Sequence, residues 1–352
     1  MMSDYQVICE NQKLGNTANM ERWTIDPASQ HPSAMRVFDQ FSTFRTQYKL
    51  VDDQPIHAFF IVPDQLPSGP RPLLVRFHGG GWVEGEAEAS IRAFFLELSL
   101  KHGAVILTPN YRLRPEHQLT DGMDDIHSFW QWVEDGSAQR ALSTSRPDVA
   151  VDVGNLMVAG ESTGGHIAVL TALLPLTSLA INVLFLQYPT LNLTDVARAH
   201  NDVSEAMQKS GLWAERVPYS EVEDCLRAHA QSEKQGTLRT RAAFGSRMRL
   251  LMGMLQAGRF WDEERDGDRL CPMRALDRAG KLPPILLYHS KGDELLPWQH
   301  TEDWAAKLRR LQPDVPLFLT FQQGDHVFDK DDTMRTPWLR EPLEFVQQYW
   351  PA

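Results

Sequence analysis

The sequence is poor in cysteine, in basic charge and in long apolar runs, and each shortage closes off a class of protein. Its three cysteines, Cys9, Cys225 and Cys271, lie far apart and form no Cys-x-x-Cys pair. An odd, scattered set fits a reducing compartment better than a secreted disulfide scaffold, so a cytoplasmic location is expected. Lys and Arg number 35 against 46 Asp and Glu, a formal net charge of -11, and the basic residues between Arg239 and Arg249 are scattered. That balance argues against nucleic acid or an anionic membrane surface as partner. The most apolar window, 170–189, is broken by Pro175, Thr177, Ser178 and Asn182, and reads as helix end, turn and buried strand rather than a membrane span. Asp4, Glu10, Lys13, Glu21 and Arg22 leave no apolar segment near the start, so no secretory leader is expected. Internal repeats and low-complexity segments are also missing.

What is there is an ordinary globular composition, 42% hydrophobic and 23% charged, over 352 residues. That length suits one large α/β domain with an insertion, or two domains. Apolar β-rich runs fall at 46–50, 56–62, 73–77, 104–109, 156–160, 183–188, 284–289 and 315–321. The first two flank Asp52-Asp53-Gln54-Pro55 and read as a hairpin. Helical spacing separates the rest, as at 122–134, where Ile126, Phe129, Trp130 and Val133 share a face. The expectation is an α/β fold with an eight-stranded, mostly parallel sheet and helices on both faces. Residues 1–45 are expected to be a helical segment contributing to a cap, 46–191 and 276–352 the core, and 192–275 a helical insertion outside the sheet. Active sites in such sheets lie beyond the carboxyl ends of the strands, and several chemically suggestive loops follow a strand here.

The most informative of these is Gly160-Glu161-Ser162-Thr163-Gly164, which follows an apolar run and precedes a helical one. A serine on a sharp strand-to-helix turn is forced above the sheet, with flanking glycines relieving the crowding, so Ser162 is the candidate nucleophile. A serine hydroxyl needs a base and a third group to orient that base. Among twelve histidines His326 is the best base, because it follows the last strand in a Gly-containing loop. His289 lies within a strand, His166 sits one turn into the helix after Ser162, and His300 is a weaker rival. Asp293, after the strand at 284–289, is the favoured acid over Glu294 and Asp325, and the order Ser, acid, His is the one expected on this architecture. Negative charge developing on a carbonyl oxygen needs preorganised N–H donors. Gly80 and Gly81 of His78-Gly79-Gly80-Gly81-Trp82 are the candidates, with the Thr163 N–H as the third. No Gly-Lys-Ser/Thr follows the glycine triplet, which disfavours a phosphate cradle.

His78-Gly79-Gly80-Gly81-Trp82, Tyr111-Arg112-Leu113-Arg114-Pro115-Glu116-His117 and Gly160-Glu161-Ser162-Thr163-Gly164-Gly165, in this order, resemble the hormone-sensitive-lipase-like branch of the α/β-hydrolase fold. The resemblance covers roughly residues 70 to 335. It implies a carboxylesterase-like serine hydrolase working through an acyl-enzyme, with no metal or organic cofactor, a helical cap, and a structural role for Glu116 in bracing its loop. The chain departs from the family at Glu161-Ser162-Thr163, where Asp-Ser-Ala is usual, and at Arg114, where alanine is usual. Trp82, Glu161 and Trp213 are the expected substrate contacts. Met248, Met252, Met254, Phe260 and Trp261 either line an acyl pocket or form the cap's own core. The expected partner is a small-molecule ester, lactone or thioester, and a homodimer is left open. A biosynthetic hydrolase, cyclase or dehydratase of specialised metabolism using the same site is the alternative, and a non-catalytic small-molecule receptor the remote one.

Overall fold

A computed structural model describes residues 20–193, 215–231, 238–261 and 267–350. Strand β2 (Phe41–Val51) turns at Asp52 and Asp53, both at positive φ, into β3 (Gln54–Pro63). A two-residue turn with left-handed residues matches the twist of paired strands, so the hairpin is longer and its turn tighter than the residue pattern indicates. The extra length pairs Phe41 with Pro63 and Phe44 with Phe60.

β4 (Pro70–Phe77), β5 (Val105–Pro109), β6 (Ala150–Glu161), β7 (Ile181–Gln187), β8 (Ile285–Ser290) and β9 (Leu317–Gln322) complete the main sheet. Its order is β1-β2-β3-β5-β4-β6-β7-β8-β9, antiparallel as far as β5 and parallel from β5 onward. The sheet thus has nine strands and not eight. The additional β1 (Glu21–Arg22) pairs with Arg45 and Phe44 in a stretch expected to be helical, and Phe41–Phe44 belongs to β2 for the same reason. A two-residue edge strand is too short to carry a period in the sequence, and it forms because β2 offers an open edge. Helix α1 (Pro32–Phe38) occupies part of the expected N-terminal helical segment.

The parallel strands are apolar on both sides because both sides are covered. Val75, Phe77, Val158, Leu184 and Leu186 face one core, with Phe129 and Trp130 of α3 (Leu119–Glu134) and Ile167 to Leu170 of α5 (Thr163–Leu173). Their neighbours Leu74, Met157, Ala159, Val183 and Phe185 face the other, with Phe94 and Phe95 of α2 (Ala93–His102) and Leu343 and Val346 of α10 (Arg340–Tyr349). The alternation is that of a strand, whose successive side chains point to opposite faces. α4 (Ser137–Ser145) lies between α3 and β6, and α9 (Trp298–Leu311) between β8 and β9.

Between β7 and β8 the described residues hold no strand of the main sheet. They form α6 (Ser220–Gln231), α7 (Met248–Gln256) and the single turn α8 (Pro272–Ala275). The segment around α7 is stitched to the loops after β4 and β5. Gly85 and Ala242 form a backbone bridge, the Leu113 N–H donates to the Arg239 carbonyl at 2.8 Å, and Glu84 accepts from the backbone N–H groups of Gly245 and Arg247 at 2.8 Å each. Arg247 reaches back to both oxygens of Glu116 at 2.7 Å, and Arg114 donates to the carbonyl of Phe260. Among the described residues no helix is long and apolar enough to cross a membrane.

Candidate active site

β6 runs into Ser162, whose φ of 55 and ψ of -120 put it outside the regions open to most residues, and α5 starts at the next residue. That strain persists because the surrounding chain leaves no alternative: the Ser162 N–H donates to the Gln187 carbonyl at 2.9 Å, and a β-carbon at Gly164 would overlap the Phe77 carbonyl oxygen. The tight turn lifts the Ser162 hydroxyl clear of the sheet end.

The loops after β8 and β9 bring Asp293 and His326 to the same place. His326 Nε2 accepts from the Ser162 hydroxyl at 2.9 Å, and its Nδ1–H donates to Asp293 Oδ2 at 2.6 Å. Burial opposes a charge on the imidazole, yet the Asp293 carboxylate outweighs it and raises the His326 pKa above 6.5. Burial likewise works against the Asp293 carboxylate, and it is overcome by His326 and by a hydrogen bond from His289, leaving the carboxyl well below its usual range. Asp293 Oδ1 accepts from the N–H groups of Leu295 and Leu296 at 2.8 Å each. Glu294 does not take the acid's place: its Oε2 accepts from the His326 backbone N–H at 2.9 Å. His166 is buried, which lowers its pKa to about 4, and bridges the Trp82 indole N–H (3.2 Å) and the Leu270 carbonyl (2.7 Å). It braces the helix and does not reach Ser162.

The glycine loop after β4 lies beside this group. Tyr111 stacks on His78 with ring centroids 4.3 Å apart and donates to its carbonyl at 2.7 Å, and burial holds the His78 pKa at about 3. Glu161 accepts from the Gly79 N–H at 3.3 Å while pairing with buried Arg76, so it ties the end of β6 to that of β4. The Gly81 N–H donates to Thr163 Oγ1 at 3.0 Å, so one candidate oxyanion donor is engaged by a side chain. Sequence reasoning treated Thr163 as a backbone donor alone and missed this contact.

A cavity of about 360 Å³ opens over these groups. Ser162, Thr163, Gly79, Gly80, Gly81, Glu161 and His326 form its floor, and Met248, Leu251, Met252, Leu255 and Phe260 give it an apolar wall. Ser90, Arg92 and Thr190 add a polar side. Of the cap candidates, Met248, Met252 and Phe260 line the cavity, whereas Met254 and Trp261 are packed in the core. Glu161 borders it with its carboxylate committed to Arg76. Trp82 is not the pocket wall expected of it: at φ 63 it is fully buried between Tyr111 and His166 beneath the loop. Trp213 lies outside the described residues. His289, set aside at the sequence level as a strand residue, contacts Asp293, and no signal in the residue pattern marks that contact. Among the described residues no group of three or more His, Cys, Asp or Glu side chains is arranged to hold a metal ion.

The chain is similar to known proteins. A family model described as the α/β hydrolase fold matches residues 74–228, and one described as the prolyl oligopeptidase family matches residues 249–351. A relative from Phoma sp. named "Probable carboxylesterase" is 28% identical over 330 residues, 89% of this chain and 98% of its own length. Another of that name from Cochliobolus lunatus is 30% identical over 200 residues, 55% of this chain and 86% of its own. Among solved structures, carboxyl esterase 2 from the mycorrhizal fungus Tuber melanosporum has a TM-score of 0.58 at 19% identity, over 92% of this chain and 99% of that one, a likeness of fold.

Proposed function

The chain belongs to the α/β-hydrolase esterase family, and from that premise we propose that it is a serine carboxylic-ester hydrolase acting through an acyl-enzyme, with Ser162 as nucleophile, His326 as general base and Asp293 as its orienting acid. The observation that carries the reading is the His326 ring, which meets Ser162 Oγ at 2.9 Å on one side and Asp293 Oδ2 at 2.6 Å on the other.

The chemistry follows from that geometry. His326 Nε2 takes the serine proton as Oγ attacks the ester carbonyl, and the imidazolium is stabilised by the carboxylate behind it. The oxyanion is received by the N–H groups of Gly80, Gly81 and Thr163. For Gly81 this means exchanging a neutral acceptor, Thr163 Oγ1, for a charged one, and hydrogen bonds to charged acceptors are the stronger. The imidazolium then protonates the departing alkoxide. Water, deprotonated by the same imidazole, releases the acid and restores Ser162.

The proposed substrate is a small-molecule ester with an apolar acyl group, supported by the wall of Met248, Leu251, Met252, Leu255 and Phe260. The insertion bearing that wall is read as the cap. A cytoplasmic enzyme is part of the reading, supported by the scattered cysteines. Replacing Ser162 with alanine is expected to lower kcat on p-nitrophenyl butyrate about 1000-fold or more with unchanged folding. Fluorophosphonate labelling should map to Ser162. A mutant that keeps most of the esterase rate would overturn the assignment.

A further inference from the structure

We infer that His289 is a positioning residue of this site: its Nε2–H holds the Asp293 carboxylate in the orientation in which that carboxylate grips the His326 ring. The inference rests on the serine-hydrolase reading above and adds a fourth side chain to it.

Asp293 Oδ2 meets His326 Nδ1 at 2.6 Å and His289 Nε2 at 2.9 Å, while Oδ1 takes the two backbone N–H groups of Leu295 and Leu296. Four donors therefore match the four lone-pair sites of one ionised carboxylate. Two of them come from the chain immediately after Asp293, and one is the base itself. Among the described residues His289 is the one side-chain donor to this carboxylate besides His326. It stands in β8, four residues before Asp293, and its side chain is 1% exposed. Its other nitrogen, Nδ1, meets Thr301 Oγ1 of α9 at 2.7 Å. The tautomer protonated on Nε2 satisfies both partners: Nε2–H donates to the carboxylate, and Nδ1 accepts from the threonine hydroxyl.

The arrangement is a buried chain running from Thr301 through His289, Asp293 and His326 to Ser162. The last link faces substrate; His289 does not border the cavity, so it acts through Asp293. Without His289, Oδ2 keeps one donor, and a buried carboxylate with an unmet lone pair is free to turn about the two amides that hold Oδ1. Three carboxylates bear on His326, namely Asp293, Glu294 and Asp329. Asp329 is in turn paired with Arg92 at 2.9 Å, and Glu294 is held on the His326 backbone N–H, so the Asp293 contact is the one that His289 modulates.

The test uses the full chain and three variants. His289→Leu removes the donor, His289→Gln restores an N–H at similar reach, and Thr301→Val releases the outer nitrogen. For each, kcat and KM on p-nitrophenyl butyrate, the pH profile of kcat, the rate of fluorophosphonate labelling and the melting temperature are measured. His289→Leu is expected to lose about 10- to 100-fold in kcat and in labelling rate, with KM within about twofold of wild type. Its acid limb should move to lower pH, because a carboxylate free to turn away holds the His326 imidazolium less firmly. His289→Gln should recover most of the kcat, and Thr301→Val should lose severalfold. If His289→Leu keeps the wild-type kcat, labelling rate and acid limb, His289 is structural whatever its melting temperature, and the inference falls. Should that variant fail to fold, wild-type kcat and acid limb in Thr301→Val have the same consequence. A wild-type protein that neither hydrolyses esters nor labels would overturn the serine-hydrolase reading, and this inference with it; labelling at equal rates in wild type and His289→Leu overturns the inference alone.

Discussion

On the proposed reading His326 must be uncharged to take a proton from Ser162, and Asp293 holds its pKa above 6.5. Esterase activity is therefore expected to rise with pH through a midpoint above 6.5, since only the deprotonated fraction reacts. Asp293→Asn removes the pull, so the midpoint should drop as burial takes over, while kcat falls by up to about 10^4-fold because the ring loses its orienting partner. A pH–rate profile of the two proteins measures both; a midpoint that stays put would separate the limb from His326. At this scale the sequence was readable where chain order and strand ends restrict the choice, as for Ser162, Asp293 and His326. It was unreadable where a role depends on backbone angle or on the direction of a ring. Nothing in the residue pattern announces that Trp82 adopts φ 63 and turns under its loop, or that the strand residue His289 faces the acid.

Among the elements, α7 and the loops after β4 and β5 form one unit, and a buried ion pair is part of the join. Glu116 is buried, which disfavours its charge, but Arg247 holds its pKa below the usual value. Its side chain is 2% exposed and that of Arg247 is 11% exposed. Among the described residues Arg247→Ala would leave that carboxylate buried with Arg239, at 3.5 Å and itself 44% exposed, as the remaining ion-pair partner. The cost should be about 3 kcal/mol of stability, and the paired change Glu116→Gln with Arg247→Met should restore much of it. Thermal denaturation checks this. KM should rise severalfold in the single variant, because Met248, Leu251 and Met252 follow directly on Arg247; an unchanged KM would show that the wall stands without the pair. Strand and helix identity were legible for the main elements because they alternate in period. The exceptions were short or set by partners: β1 has two residues, and the start of β2 depends on β3.

For the whole molecule, the sheet supplies a rigid plane with a core on each face, and every candidate reacting group stands at the carboxyl ends of its strands. On the proposed reading the cavity above them, about 360 Å³, takes short or medium acyl groups. Across a series of p-nitrophenyl esters, kcat/KM is expected to peak between butyrate and octanoate and to fall steeply by palmitate, and a maximum at palmitate would contradict the cavity as described. A final consequence comes from Gly81. A β-carbon there would lie 2.5 Å from Leu251 Cδ2, so this wall residue rests directly on the glycine loop. On the proposed reading, roof and anion receptor are thus mechanically one piece. Any variant, solvent or temperature that unseats the roof should slacken the receptor too, trading turnover for a wider choice of guests.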